Sequence, residues 1–205
     1  MYHISKEQKE NHVKQKMTAG RLVKIGFMAA LLCILGPVSV AVPVSPVPIS
    51  LGTLAVYLIV VTAGTADALL SCLVYFLLGF AGLPVFSGYM GGAGRLFGPT
   101  GGYLIGYLFL IMIAGAFTGR FHDKRKERLF SCMGLVLGTA VLYLFGTGWL
   151  AFISGMGFYE ALCAGVIPFI PGDLVKMLAA VFLGTTLRGR LAQAGLSIGR
   201  HEKSH

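Results

Sequence analysis

The sequence predicts an all-α integral membrane protein, with six transmembrane helices and a glycine-rich extracellular loop that caps the bundle between the third and fourth helices. The first observation is composition: of 205 residues, 56% are hydrophobic and only 12% are charged, against about 45–50% and about 25% in an ordinary soluble domain. The second is a series of apolar runs, several of them near the roughly 20 residues that a spanning helix needs. The third is the confinement of basic residues to short segments beside those runs. A soluble domain and a disordered chain are both excluded.

Prolines, glycines and small polar clusters separate the apolar runs and set the order of the helices. The first run ends at the prolines of 43–48, the third stops at residues 82–84, and the fourth starts after Pro99. The six spans are expected at residues 22–42, 50–65, 67–82, 100–117, 129–153 and 172–187. We expect a membrane domain over 22–188, between a polar cytoplasmic N-terminal segment (1–21) and a polar cytoplasmic tail (189–205).

The orientation follows from the basic residues. The formal net charge of +9 comes entirely from residues 1–24, residues 120–128 and the tail from Arg188, because the rest of the chain has one more acidic than basic residue. Six spans bring these three segments to one side, which the positive-inside rule identifies as cytoplasmic. Charge distributed in this way suits anionic membrane lipids, and it does not form the continuous stripe that a nucleic-acid partner requires.

The extracellular connection between the third and fourth spans has an unusual composition. Eight glycines lie between residues 82 and 102, with Phe86, Tyr89 and Phe97 among them. Non-helical backbone near the membrane is tolerated only where protein or a water-filled cavity satisfies it. This loop is therefore expected to fold back over the bundle as a cap.

Five ionisable residues lie within the expected spans and their short connections: Asp67, Arg95, Glu160, Asp173 and Lys176. Charges in membrane helices are costly and mark substrate or ion sites. Asp173 and Lys176 are three residues apart, so a helix projects both from one face. One interpretation of this pair is a substrate-binding site. The other is that Asp173 is the N-cap of the helix and Lys176 extends outward. Arg95 suits either a carboxylate ligand or lipid headgroups, and Asp67 and Glu160 are expected to be structural.

Enzyme motifs are missing from the sequence. All five histidines lie in polar segments, and neither HExxH nor GxxxxGK[ST] occurs. We therefore expect no catalytic residues, no metal site and no ATP hydrolysis by this chain.

Small residues repeat at four-residue spacing in the first span, in the pairs Gly26/Ala30 and Ala29/Cys33. Such faces allow another helix to approach closely. That helix belongs either to this chain or to a partner.

Four segments occur in the same order and at the same distances as in a known family. They are PISLGTLAV (48–56), GLPVF (82–86), GPTGGYL (98–104) and PGDLVK (171–176). Together they resemble the BioY family, the biotin-specific substrate-binding (S) components of energy-coupling-factor (ECF) transporters. The resemblance covers nearly all of residues 20–188.

The resemblance implies a six-helix protein that binds biotin with high affinity near the extracellular face and needs no cofactor. It implies partnership with a transmembrane coupling (T) subunit and two ATPase (A) subunits, contacted through small residues of the first helix, here Gly26, Ala29, Ala30 and Cys33. The ligand residues it implies are Asp173, Lys176 and Arg95. From the chemistry of biotin we expect Asp173 to accept from a ureido N–H, Lys176 to donate to a ureido or carboxylate oxygen, and Arg95 to pair with the carboxylate. The rings are expected to pack against aromatic side chains, namely Phe86, Tyr89 and Tyr103. The only asparagine is Asn11, so the ureido oxygen needs another donor.

Other functions stay open at this point. The same architecture serves other vitamins, since a fold alone does not set the ligand. A membrane assembly protein without a small-molecule substrate is a further alternative, and it would not need Asp173, Lys176 and Arg95 around one cavity.

Overall fold

The computed structural model of the protein describes residues 19–43, 45–121 and 123–193. Most of the expected cytoplasmic segments, at 1–21 and 189–205, lie outside the described residues. The elements in chain order are α1 (Ala19–Leu35), β1 (Ser39–Val40), β2 (Ile49–Ser50), α2 (Gly52–Ala63), α3 (Thr65–Phe80), α4 (Ala93–Leu96), α5 (Gly101–Phe117), α6 (Lys124–Ser154), α7 (Phe158–Gly165) and α8 (Ile170–Gln193).

A short β-hairpin interrupts the helical fold that the sequence predicts. The first span was expected to reach residue 42, but α1 ends at Leu35, directly before Gly36 and Pro37. Proline lacks the N–H that the next helical hydrogen bond requires. The chain then forms β1 and β2, which pair antiparallel with Ser39 opposite Ser50.

The ends of the last two long helices also differ from the prediction. Helix α6 begins at Lys124 rather than 129, because the Asp123 carboxylate caps it by accepting from Arg125 N at 2.9 Å. Helix α8 begins at Ile170 and continues to Gln193, past the expected end at 187. Two of the connections between the expected spans also contain short helices, α4 and α7.

Helix α2 is the centre of the bundle. Ten of its twelve residues are buried, and it packs against α8, α1, α3 and α5. The outward faces of the surrounding helices are apolar and exposed, as at Val23 and Phe27 on α1, Phe152 on α6 and Leu178 on α8. An apolar surface of this extent is expected where lipid chains replace water.

Two helices of the described part of the chain are long and apolar enough to cross a bilayer, α6 and residues 170–190 of α8. Helices α2, α3 and α5 are apolar but shorter, at 12, 16 and 17 residues. Helix length and composition therefore identify fewer spans than the six expected from the apolar runs.

The two ends of the bundle differ in chemistry. At one end Asp67 pairs with Arg21, at 2.7 Å, and with Lys24, and Glu127 pairs with Arg188 at 3.2 Å. The other end carries the hairpin, α4 and α7. The site described next lies at this second end.

Candidate functional site

Asp173 and Lys176 form a buried ion pair in the first turns of α8. Lys176 Nζ lies 2.9 Å from Asp173 Oδ1, and the residues are 8% and 3% exposed. The reading in which Lys176 extends outward to lipid is therefore wrong for this structure. Asp173 is not the N-cap either, because α8 already begins at Ile170 and the Asp173 N–H donates to Phe169 O, four residues earlier.

The ammonium group of Lys176 is fully used by the protein. Its three donors reach Ser50 O at 2.8 Å, Thr53 Oγ1 at 3.1 Å and Asp173 Oδ1 at 2.9 Å. A lysine carries three donors and no acceptor. Lys176 thus joins the start of α8 to the start of α2 and holds the Asp173 carboxylate in place.

The second oxygen of Asp173 points toward α6. Oδ2 accepts a hydrogen bond of 2.7 Å from the Tyr143 hydroxyl, whereas Oδ1 accepts from Lys176 and, at 3.4 Å, from Thr53. A carboxylate offers about four lone-pair sites. Oδ2 can therefore accept from a ligand N–H as well as from Tyr143.

Asp173 lines a cavity between the hairpin, α2, α5, α6, the start of α8 and the cap loop. Five aromatic side chains and a few polar groups form its wall, a composition typical of small-molecule sites. The lining residues are Val47, Pro48, Ser50, Thr53, Phe86, Ser87, Thr100, Tyr103, Leu104, Tyr107, Leu142, Tyr143, Phe169 and Asp173.

Two of the three predicted aromatic residues lie at this cavity. Phe86 is 1% exposed and packs edge-on against Tyr75, with 5.4 Å between ring centroids. Tyr103 also lines the cavity, and its hydroxyl donates to Gly165 O at 2.8 Å. Tyr89 does not, since it is 68% exposed at the tip of the loop, where its φ is +57°.

Arg95 lies beside the cavity rather than in its wall. It lines an adjoining pocket with Ser39, Ser45 and Met90, and the two pockets share Pro48 and Ser87. Its Nη2 donates weakly to Ser87 O at 3.4 Å, and its buried Nε has no partner among the described residues. Nε therefore has a donor available for an anion in this adjoining pocket.

The small residues of α1 divide between two faces. Gly26 and Ala30 are exposed, and a side chain added at Gly26 would meet nothing within 4 Å. Ala29 is buried, and Cys33 is half-buried against the core. Of the four residues predicted to contact a partner, Gly26 and Ala30 are the ones on the surface.

The remaining charged candidates contact neighbouring protein groups. Asp67 has its two cations from α1, and Glu160 accepts from Gly157 N at 3.2 Å in the first turn of α7. Both arrangements stabilise the fold.

Sequence reasoning missed Thr53, Tyr143 and Tyr107 as parts of the site. Thr53 belongs to the PISLGTLAV segment, and it lies one turn after Ser50. Tyr143 and Tyr107 are amphipathic residues in the middle of apolar runs, where an inward-facing hydroxyl needs a polar partner. That signal was available, but it does not distinguish them from the other tyrosines.

Comparisons with known proteins agree with one another. A sequence model of the BioY family matches residues 8–193. The chain is 37% identical over 173 residues to a probable biotin transporter BioY of Pyrococcus horikoshii, a match that covers 84% of this chain and 99% of that protein. It is 34% identical to the biotin transporter BioY of Rhizobium etli, over 82% of this chain and 92% of that one. The 2.1 Å crystal structure of the S-component for biotin from an ECF-type ABC transporter matches with a TM-score of 0.74 and 28% identity, covering 91% of this chain and 95% of that chain.

Proposed function

Because the chain belongs to the BioY family, we propose that it is the high-affinity biotin-binding membrane subunit of an ECF transporter and that it mediates biotin uptake. It is a transporter component and not an enzyme. The main structural support for this function is the buried ion pair of Asp173 and Lys176, because Asp173 lines the cavity. Charged residues inside a membrane protein that face a cavity commonly mark a substrate site.

The protein crosses the membrane six times, through α1, α2, α3, α5, α6 and α8, with both termini in the cytoplasm. The alternating direction of these helices supports this topology, as does the position of the basic residues. Arg21, Lys24 and Arg188 lie at the end opposite the cavity. The positive-inside rule makes that end cytoplasmic, so the cavity opens toward the outside.

The cavity suits the chemistry of biotin. The ureido ring has two N–H donors, one of which donates to Asp173 Oδ2. The apolar sulfur ring packs among Phe86, Tyr103 and Phe169, which line the same wall. The valeryl tail passes Pro48 and Ser87 into the adjoining pocket, where its carboxylate pairs with Arg95. An arginine fork is well matched to a carboxylate.

Energy comes from other subunits. The sequence has no nucleotide-binding motif, and the exposed face of α1 around Gly26 and Ala30 supplies the surface on which a coupling subunit packs. Small residues there allow close helix approach. Two ATPase subunits complete the transporter.

Equilibrium binding of labelled biotin to the purified, detergent-solubilised chain tests the ligand and the site. We expect tight binding by the wild type and a loss of roughly tenfold to a hundredfold in Asp173→Asn, which removes a charged acceptor. Asp67→Asn is the matched control, because it neutralises another buried, ion-paired carboxylate at the opposite end of the bundle. That variant retains full affinity.

Two results would overturn parts of this proposal. A folded wild-type protein that does not bind biotin excludes biotin as the ligand and leaves another vitamin as the substrate. Tight binding that survives both Asp173→Asn and Lys176→Met keeps biotin but moves the site away from α8.

A further inference from the structure

Tyr107 is a tyrosine of the cavity wall whose hydroxyl has no protein partner. It lies on α5, one helical turn after Tyr103, and only 8% of the residue is exposed. The other two tyrosines of the wall are committed, since Tyr103 donates to Gly165 O and Tyr143 to Asp173 Oδ2. No hydrogen bond joins the Tyr107 hydroxyl to any residue of the described chain. Because Tyr107 lines the cavity, a ligand or a water molecule there can accept a hydrogen bond from this hydroxyl.

Space is kept open beside this hydroxyl. A Cβ added to Gly52 would lie 3.1 Å from Tyr107 Oη and 3.1 Å from Ser50 Oγ. Gly52 immediately precedes Thr53, which hydrogen-bonds to Asp173. The unpartnered donor and the Asp173 carboxylate therefore face the same cavity from α5 and α8.

Other hydroxyls of the wall are already donating. Ser50 donates to Gly36 O at 2.8 Å and Thr100 to Arg95 O at 3.3 Å. The single hydroxyl hydrogen of Thr53 is shared between Ser50 O at 3.2 Å and Asp173 Oδ1 at 3.4 Å. Lys176 has no donor left. Ser87 lies where the cavity meets the pocket of Arg95, next to the expected path of the ligand's tail.

We propose that Tyr107 is a specificity-determining residue, whose hydroxyl donates to the carbonyl oxygen of the cyclic urea while Asp173 accepts one of its N–H groups. This rests on the proposed function, since it takes biotin as the ligand. A donor on α5 and an acceptor on α8 recognise the two polar edges of the urea, and a ring that lacks either edge leaves one of these groups unpaired. Sites of this kind reject such analogues strongly.

The test compares biotin with 2-thiobiotin, in which sulfur, a poor hydrogen-bond acceptor, replaces the ureido oxygen. We expect the wild type to prefer biotin. Tyr107→Phe weakens biotin binding by roughly tenfold to a hundredfold, the effect of leaving a buried acceptor unpaired. It changes thiobiotin binding by much less, so the preference collapses. In the matched control Tyr57→Phe, the hydroxyl lost is one that pairs with Thr139 at 2.8 Å away from the cavity wall, and the preference persists.

A second measurement shows that the variant is folded. Without ligand, Tyr107→Phe has the same melting temperature as the wild type or a higher one, because the hydroxyl it loses makes no protein hydrogen bond. The proposal is overturned if Tyr107→Phe keeps the wild-type preference, if Ser87→Ala abolishes it instead, or if the wild type binds both compounds equally. These results differ from a wild type that does not bind biotin at all, which overturns the proposed function and this inference with it.

Discussion

Replacing Lys176 with methionine is expected to destabilise the ligand-free protein strongly, apart from any effect on binding. The ammonium supplies hydrogen bonds to three buried acceptors, of which the Asp173 carboxylate is charged. Methionine fills a similar volume but leaves that carboxylate in the interior without a cation. Removing one partner of a buried ion pair costs about 3–5 kcal/mol.

This cost converts to a clear thermal shift. In a protein of this size each kcal/mol lowers the melting temperature by about 2–4 °C. Lys176→Met should therefore melt roughly 6–20 °C below the wild type. The double variant Asp173→Asn/Lys176→Met removes both charges together, so we expect it to recover about 1–3 kcal/mol of that loss.

The assay is thermal unfolding in detergent, without ligand, followed by fluorescence. The chain has a single tryptophan, Trp149 on α6, whose Nε1 donates to Gly98 O of the cap loop at 2.9 Å. Its emission therefore reports on the end of the bundle where the site lies. Lys24→Met is the matched control, because Asp67 keeps Arg21 at 2.7 Å when Lys24 is removed. That variant should lose much less stability.

Two results would refute the reasoning about the ion pair. A Lys176→Met protein that melts within 2 °C or so of the wild type would mean that the ammonium is not held in a buried network. A double variant whose loss equals the two single losses added together would mean that Asp173 and Lys176 do not interact.

Three further predictions concern the ligand tail, the cap and the partner surface. Arg95→Gln should weaken binding of biotin but not of biotinamide, which lacks the carboxylate; equal losses for both compounds would place the tail elsewhere. Gly79→Val should lower biotin affinity, because a side chain at Gly79 would meet the ring of Phe86; unchanged affinity would mean that Phe86 does not contact the ligand. Gly26→Leu should leave binding intact but abolish uptake and co-purification of the coupling subunit, whereas the control Gly148→Leu, at another exposed glycine with open space around it, should not.

Much of the helical framework could be predicted from the sequence, because apolar runs bounded by proline and glycine correspond closely to α3 and α5. The hairpin could not, since its strands have only two residues each, too few for an alternating pattern. The early start of α6 was missed because its first turns are basic rather than apolar. An N-cap such as Asp123 is a local signal that hydropathy does not register.

The site was predicted in part for a similar reason. Asp173 and Lys176 were found because charges are rare in membrane helices. Thr53 and Tyr143 are ordinary in such helices, and only the packing of α2 and α6 against α8 brings them to Asp173. Tyr89 was expected among the ligand contacts because aromatic residues suit a ring. It lies instead at the exposed tip of the loop, where its φ is positive, and it does not line the cavity.

The network around Lys176 also constrains how the protein is made. Thr53 and Asp173 are 120 residues apart in the chain. At 5–20 residues per second, the ribosome therefore adds Asp173 about 6–24 s after Thr53. Before the two helices meet, each of these polar side chains has a partner close to it in the sequence. Thr53 Oγ1 can donate to Ser50 O within its own turn, and Asp173 pairs with Lys176 one turn away on the same helix. The opposite charges of α8 are therefore joined within the helix itself, and the network around Asp173 is completed only when α8 packs against α2.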